Sequence, residues 1–326
     1  MIWFWIGFFS LVAVLLALDL GVLNRGAHEP TFRRATIQTL IWMALGLAFA
    51  GFVFAMYEYH WLGAEMRDDR GRVASGLDAA TVYVSAYLLE QALSVDNIFV
   101  IALLFGNFRV PPQYQHRVLF WGIIGAVFFR VVMLGGGAYL ANKFDWIFYV
   151  FGAYLALQGI KLLRHEDSTE QDLNNHAAIR FLRKFFPVVD GDHGGKFLVH
   201  IDGKRALTTV AVCLVVVELT DIVFALDSIP AVLSVSKETF IMVTSNIFAI
   251  LGLRSLYFVL AKAMATFEYL KIALAVLLII IGAKMAFHHY VHISHGVSLA
   301  LIAGIIGIGV GASLWSNRRK NAKPAQ

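Results

Sequence analysis

The sequence predicts an all-α polytopic membrane protein: one membrane domain over 1–326, with about nine transmembrane helices and two inverted three-helix repeats. Three observations predict it. The chain is 59% hydrophobic and only 15% charged, a composition that excludes an ordinary soluble domain. Its apolar residues gather into runs of the ~20 residues a helix needs to cross a bilayer. Charged residues recur inside those runs: Glu90, Asp96, Arg130 and Lys161 are matched by Asp221, Asp227, Arg254 and Lys284. The intervals are 6, 34 and 31 residues in the first set and 6, 27 and 30 in the second. Short words agree as well, SVDNIF (94–99) with ALDSIP (225–230) and GIK (159–161) with GAK (282–284).

The expected spans run from about 2–23, 36–57, 79–105, 117–141, 146–163, 206–230, 240–262, 269–288 and 296–315. The first has no basic stretch before it and no small-residue cleavage site, so it reads as a retained helix and not a signal peptide. Repeat 1 covers 79–163 and repeat 2 covers 206–288, with 296–315 as the last span. Three crossings per repeat bring the second copy in upside down, a plan that places transporter binding sites near the midplane. Between the repeats, 164–205 reads as a cytoplasmic loop. It mixes Phe181, Leu182, Phe185 and Phe186 with Arg180, Arg183 and Lys184, which suits an amphipathic interfacial helix. The stretch from Lys196 to Leu207, with Asp202-Gly203 at its turn, reads as a hairpin.

Orientation follows from Lys and Arg, which cytoplasmic loops retain. The loops at 24–35, 106–116, 164–205 and 263–268, with the C-terminal tail and adjoining helix ends, carry 18 of the 27 basic residues, and the opposite side carries five. The N-terminus is therefore expected outside and the C-terminus in the cytoplasm. The net charge of +5 is a topology signal and implies no nucleic-acid partner. A single cysteine, Cys213, excludes an internal disulfide and any thiolate cluster.

Inside the spans stand six acids (Asp19, Glu90, Asp96, Glu218, Asp221, Asp227) and four bases, an excess of two negative charges. Ionisable groups at that depth mark an ion path, a proton relay or an ion pair. A divalent cation or bound protons would offset the excess. The available donors are carboxylates, the amides of Asn97 and Asn246, and hydroxyls such as Ser94, Thr220, Ser228 and Ser245. All-oxygen ligation favours Mn²⁺, Mg²⁺ or Ca²⁺ and does not choose among them. The expected metal set is Glu90, Asp96, Asn97, Asp221 and Asp227, with Glu218 and Ser228 in a proton-linked or supporting role. Arg130, Arg254, Lys161 and Lys284 are expected to form structural ion pairs. Residues six apart on a continuous helix lie about 120° apart around its axis, so a shared site calls for an interruption, for which Pro230 is the candidate.

Weaker signals are His288, His289, His292 and His295 between the last two spans, a loop with Asp190 and Asp192 that lacks a third oxygen ligand at Gly194, and Gly304, Gly307 and Gly311 in the last span, which allow close helix approach within the protein. No phosphate-cradling loop, serine nucleophile motif or aspartyl-protease Gly-x-Gly-Asp word occurs. The expectation is accordingly a protein that is not an enzyme.

The segments Glu90-Gln-Ala-Leu-Ser-Val-Asp96-Asn97 and Glu218-Leu-Thr-Asp221-Ile-Val-Phe-Ala-Leu-Asp227-Ser-Ile-Pro230 resemble the signature segments of the TerC/Alx family of integral membrane proteins. Thr244-Ser-Asn246-Ile-Phe-Ala-Ile-Leu-Gly-Leu-Arg254 resembles a third, and His165-Glu-Asp167 fits as well. The similarity covers nearly the whole chain and is nearest the Alx-like branch. It implies a multi-pass protein of the bacterial inner membrane, carried under tellurium resistance and handling Mn²⁺, mostly by export, with no permanently bound cofactor. It also leaves an alternative: a membrane partner that delivers metal to exported proteins beside the protein-export machinery, or contributes to tellurium resistance, without catalysing flux alone.

Overall fold

The computed structural model describes residues 2–19, 31–66, 73–144, 146–164, 187–189, 191, 193–201, 204–263, 269–287 and 295–322. The expected interfacial helix, apart from its last two residues, falls outside these residues. So do His165-Glu-Asp167, Asp190, Asp192 and His288, His289 and His292.

Among the described residues the fold is all-α apart from one small sheet. The helices are α1 (Ile2–Leu18), α2 (Phe32–Glu58), α3 (Gly76–Asn107), α4 (Pro112–Lys143), α5 (Ile147–Leu163), α6 (Thr209–Leu233), α7 (Thr239–Leu251), α8 (Leu253–Ala263), α9 (Leu270–Ala286) and α10 (His295–Ala322). Five are long and apolar enough to span a bilayer: α2, α3, α4, α6 and α10. The α7–α8 pair, bent by 46°, is apolar enough only when taken together, as a broken span or a re-entrant loop. Helices α1 and α5, at 17 residues each, and α9 are shorter apolar helices near the lower limit for crossing.

Local chemistry fixes the ends of the central helices. Ser75 and Asp78 form a capping box at the start of α3, while Glu58 of α2 accepts from the Gly76 amide at 2.8 Å. Thr208 caps α6 by accepting from the Ala211 amide and donates its hydroxyl proton to the Lys196 carbonyl at 2.7 Å. Thr208 also ends the sheet. Strand β3 (Lys204–Thr208) pairs antiparallel with β2 (Leu198–Ile201) and parallel with β1 (Val188–Val189). Arg117 of α4 donates to the Gly195 carbonyl at 3.0 Å and lies over the Phe197 ring, tying the sheet to the bundle.

Two features differ from the sequence expectation. Helix α6 runs on through Pro230 to Leu233, so the interruption is not there. A proline leaves one carbonyl without its helical donor but does not by itself end a helix held on all sides, and Ser228 to Leu233 are buried. The break comes instead at Gly252, pressed against Trp42 of α2, two residues before Arg254. Phe240 to Leu251 of α7 are all buried, as expected of a helix apolar on every side. Second, Gly304, Gly307 and Gly311 have, among the described residues, no neighbouring atom within 4 Å of where a Cβ would stand. The close glycine contact lies between α5 and α9.

That contact is reciprocal. A Cβ on Gly152 would lie 2.7 Å from the Gly282 carbonyl, and one on Gly282 would lie 2.6 Å from the Gly152 carbonyl. A Cβ on Gly159 would lie 2.6 Å from the Ala275 carbonyl. Moving seven residues forward on α5 thus moves the contact seven residues back on α9, so the two helices run antiparallel. Superposing GIK on GAK pairs Gly159 with Gly282 and Gly152 with Ala275. Exchanging the two copies turns the first contact into the second.

Candidate intramembrane ion site

The centre of the bundle is where α3, α4, α6 and α7 meet. Glu90 of α3 is fully buried and ion-paired with Arg130 of α4, itself only 1% exposed. The same guanidinium donates from Nη2 to Asp221 Oδ1 of α6 at 3.2 Å and from Nη1 to Asn246 Oδ1 of α7 at 3.1 Å. Asn246 is oriented by its own amide protons, donated to the Met242 carbonyl at 3.1 Å. Arginine suits this place because its planar fork can serve several acceptors while its charge stays fixed. The cluster therefore brings together Glu90 and Asp221, equivalent positions of the two copies, around the arginine of the first.

The three acids of α6 have different neighbours, and Asp227 is turned about 120° from Asp221 around the helix axis. Asp221 faces Arg130. Glu218 turns to α4, where a Cβ on Gly125 would overlap its carboxyl, in a groove lined by Trp121, Phe129, Leu214 and Leu219. Asp227 faces α5. Its Oδ1 accepts from Gln158 Nε2 at 3.3 Å, and the same amide nitrogen donates to the Tyr154 hydroxyl at 2.8 Å. The Tyr154 hydroxyl stands beside that carboxyl. Among the described residues, neither Asp227 nor Glu218 has a basic partner.

The other expected residues are placed as follows. Asp96 lies on α3, with its side chain outside the described set. Asn97 is buried beside it. The hydroxyls of Ser94 and Ser228 are buried and make no hydrogen bond among the described residues. Arg254 pairs with Asp19 at 2.5 Å, so its counter-charge comes from the end of the first helix and not from either repeat. Lys284 donates to the Ser234 carbonyl and the Ser298 hydroxyl, each at 3.0 Å. Lys161 is exposed and forms no ion pair among the described residues.

No three His, Cys, Asp or Glu side chains among the described residues converge closely enough to hold a metal. A cation bound here would need amides, hydroxyls and carbonyls beside a carboxylate. Tyr154 and Gln158 are the neighbours of Asp227 that sequence reasoning missed. The available signal was a lone amide in the otherwise apolar helix IFYVFGAYLALQGIKLL.

Residues 75–321 match the profile of the Integral membrane protein TerC family. The chain belongs to the TerC family. It is 39% identical over 314 residues to an uncharacterized membrane protein of Myxococcus xanthus, covering 96% of this chain and 92% of the relative. It is 39% identical over 317 residues to Alx of Escherichia coli K12, which carries the description of a candidate membrane-bound redox modulator, covering 97% and 95%. An uncharacterized membrane protein of Rickettsia bellii is 37% identical over 310 residues, covering 95% and 96%. No solved structure matches the chain. The family and the apolar helices together make this an integral membrane protein.

Proposed function

We propose that this protein transports a divalent cation, with Mn²⁺ exported across a bacterial inner membrane as the preferred reading. In this reading the nine expected spans and the Lys and Arg excess on one side would put the N-terminus outside and the C-terminus in the cytoplasm. The observation that carries the reading is Asp227, a half-buried carboxylate in a membrane helix whose described partners are all neutral. Such a charge needs a cation or a proton to be tolerable in a low-dielectric core. Asp96, its equivalent in the first copy, with Asn97 and Ser228 adjoining the two acids, would supply further oxygen donors. Glu90 and Asp221 would join when Arg130 withdraws. The self-exchanging α5–α9 contact supports two inverted halves, the architecture that alternating access uses. Proton return through Glu218, or through the same acids, would drive turnover. The redox role in the name of the Escherichia coli relative would run here through the transported metal, because Cys213 is fully buried in α6.

The test is Mn²⁺ flux in proteoliposomes holding only this protein, with and without a pH gradient. Asp227→Asn should cut flux at least about tenfold, which corresponds to ~1.4 kcal/mol, while insertion and Tm are kept. Undiminished flux in that variant rejects the site. No flux from folded, inserted wild-type protein rejects the transporter and favours a membrane partner that hands metal to exported proteins.

A further inference from the structure

We propose that Tyr154 and Gln158 of α5 complete the ion site at Asp227 and set which divalent cation it accepts. This rests on the transport reading and assigns the ligand chemistry of that site.

The geometry is a pair of hydrogen bonds that share one nitrogen. The Gln158 amide nitrogen reaches both Asp227 Oδ1 and the Tyr154 hydroxyl, using one of its two protons for each. The Tyr154 hydroxyl accepts from the amide and is thereby held beside the carboxylate. Both side chains are neutral, so the carboxylate is held in place while its charge is left for a cation. Glu90 and Asp221 differ in this respect, since both lie against the Arg130 guanidinium.

An amide has a second capability that suits this position. Rotated about its last bond, Gln158 presents a carbonyl oxygen in place of its NH₂ group. It can hold Asp227 when no ion is bound and become a ligand when one arrives. The phenol supplies a third oxygen. One carboxylate, one amide oxygen and one hydroxyl form a hard set of low charge, in which neutral ligands decide between cations of equal charge but different size. Tyr154 and Gln158 are four residues apart, on one face of α5, and that helix is held by the backbone contacts of Gly152 and Gly159 with α9.

The second copy lacks this chemistry. Superposing GIK on GAK places Leu277 opposite Tyr154 and Ile281 opposite Gln158, both buried in the core. The phenol and amide are therefore not a requirement of the repeated architecture. They occur on α5, whose Gln158 reaches Asp227.

The experiment measures Mn²⁺, Mg²⁺ and Ca²⁺ flux in proteoliposomes, separately and in competition. The proteins are wild type, Gln158→Leu, Gln158→Glu, Tyr154→Phe and Asp227→Asn, each checked for insertion and Tm. Asp227→Asn should stop all three ions. Gln158→Leu and Tyr154→Phe should change the ratio among them by at least about threefold, ~0.6 kcal/mol. Gln158→Glu, which restores an oxygen ligand, should keep transport with a third, distinct ratio. If both apolar replacements leave the wild-type ratio, whatever their total flux, the α5 residues only support the fold and the proposal fails. Mn²⁺ binding to the solubilised protein by electron paramagnetic resonance separates the two readings. Loss of binding in Gln158→Leu upholds the site even where wild-type flux is nil. Unchanged binding in both apolar variants overturns it.

Discussion

At the scale of single residues, Arg130 is the group whose removal is hardest to accommodate. It is among the largest fully buried side chains, and it meets carboxylates from α3 and α6 and an amide from α7. A buried ion pair adds little net stability against an apolar replacement of all its members. Removing one member costs about 3–5 kcal/mol, because the remaining charges stay buried and uncompensated. Here two carboxylates would be left at once. Arg130→Ala should therefore lower the thermal midpoint in detergent by several degrees, and Arg130→Lys should recover only part of that loss. One ammonium cannot reproduce the fork in which Nη1 serves Glu90 and Asn246 while Nη2 serves Asp221. Equal midpoints for Arg130→Lys and wild type would show that charge alone matters at this position.

At the scale of elements, α5 and α9 are held by backbone against backbone, with no room for a side chain. Gly152→Val should cost about 1–3 kcal/mol by forcing the helices apart, and Gly282→Val should do the same, both read as lowered thermal midpoints. Gly304→Ala and Gly307→Ala should not lower the midpoint, because no atom of the described residues lies within 4 Å of either added Cβ. Sequence alone did not separate these two sets of glycines. Spacing reveals that a helix has a small-residue face, but only the neighbouring helix decides whether that face is used. The same limit explains the other misses. The long apolar helices were legible because bilayer thickness dictates their length, and the recurring charges were legible because ionisable residues are rare at that depth. Pro230 suggested a break that the buried surroundings of α6 do not permit, while Gly252, an unremarkable residue inside an apolar run, marks the actual bend. Gln158 escaped notice because one amide in a helix carries no period. Its meaning comes from Asp227, 69 residues away.

At the scale of the molecule, the α5–α9 contact exchanges onto itself under the sequence repeat, yet Arg130 and Arg254 are treated differently. Exchanging the copies would carry the Arg130–Asp221 pair to Arg254 and Glu90. Glu90 is already engaged by Arg130, and the first helix, which belongs to neither repeat, brings Asp19 to Arg254 instead. One set of central carboxylates cannot serve both arginines. Arg130 holds both carboxylates, and Arg254 takes its counter-charge from Asp19, outside the repeat. A transporter that alternates between inverted states would exchange these roles, with Arg254 leaving Asp19 to take up Glu90 or Asp221 as Arg130 lets go. The Asp19–Arg254 pair would then stabilise only the state seen here. Asp19→Asn and Arg254→Gln should each lower the thermal midpoint and raise thiol labelling of cysteines placed in the α7–α8 bend. The reversed pair, Asp19→Arg with Arg254→Asp, should recover more of both properties than the sum of its single substitutions allows, the signature of direct coupling. Strict additivity would mean that the two residues meet without consequence. The inherited symmetry would then extend to the packing of α5 on α9 but not to the charges.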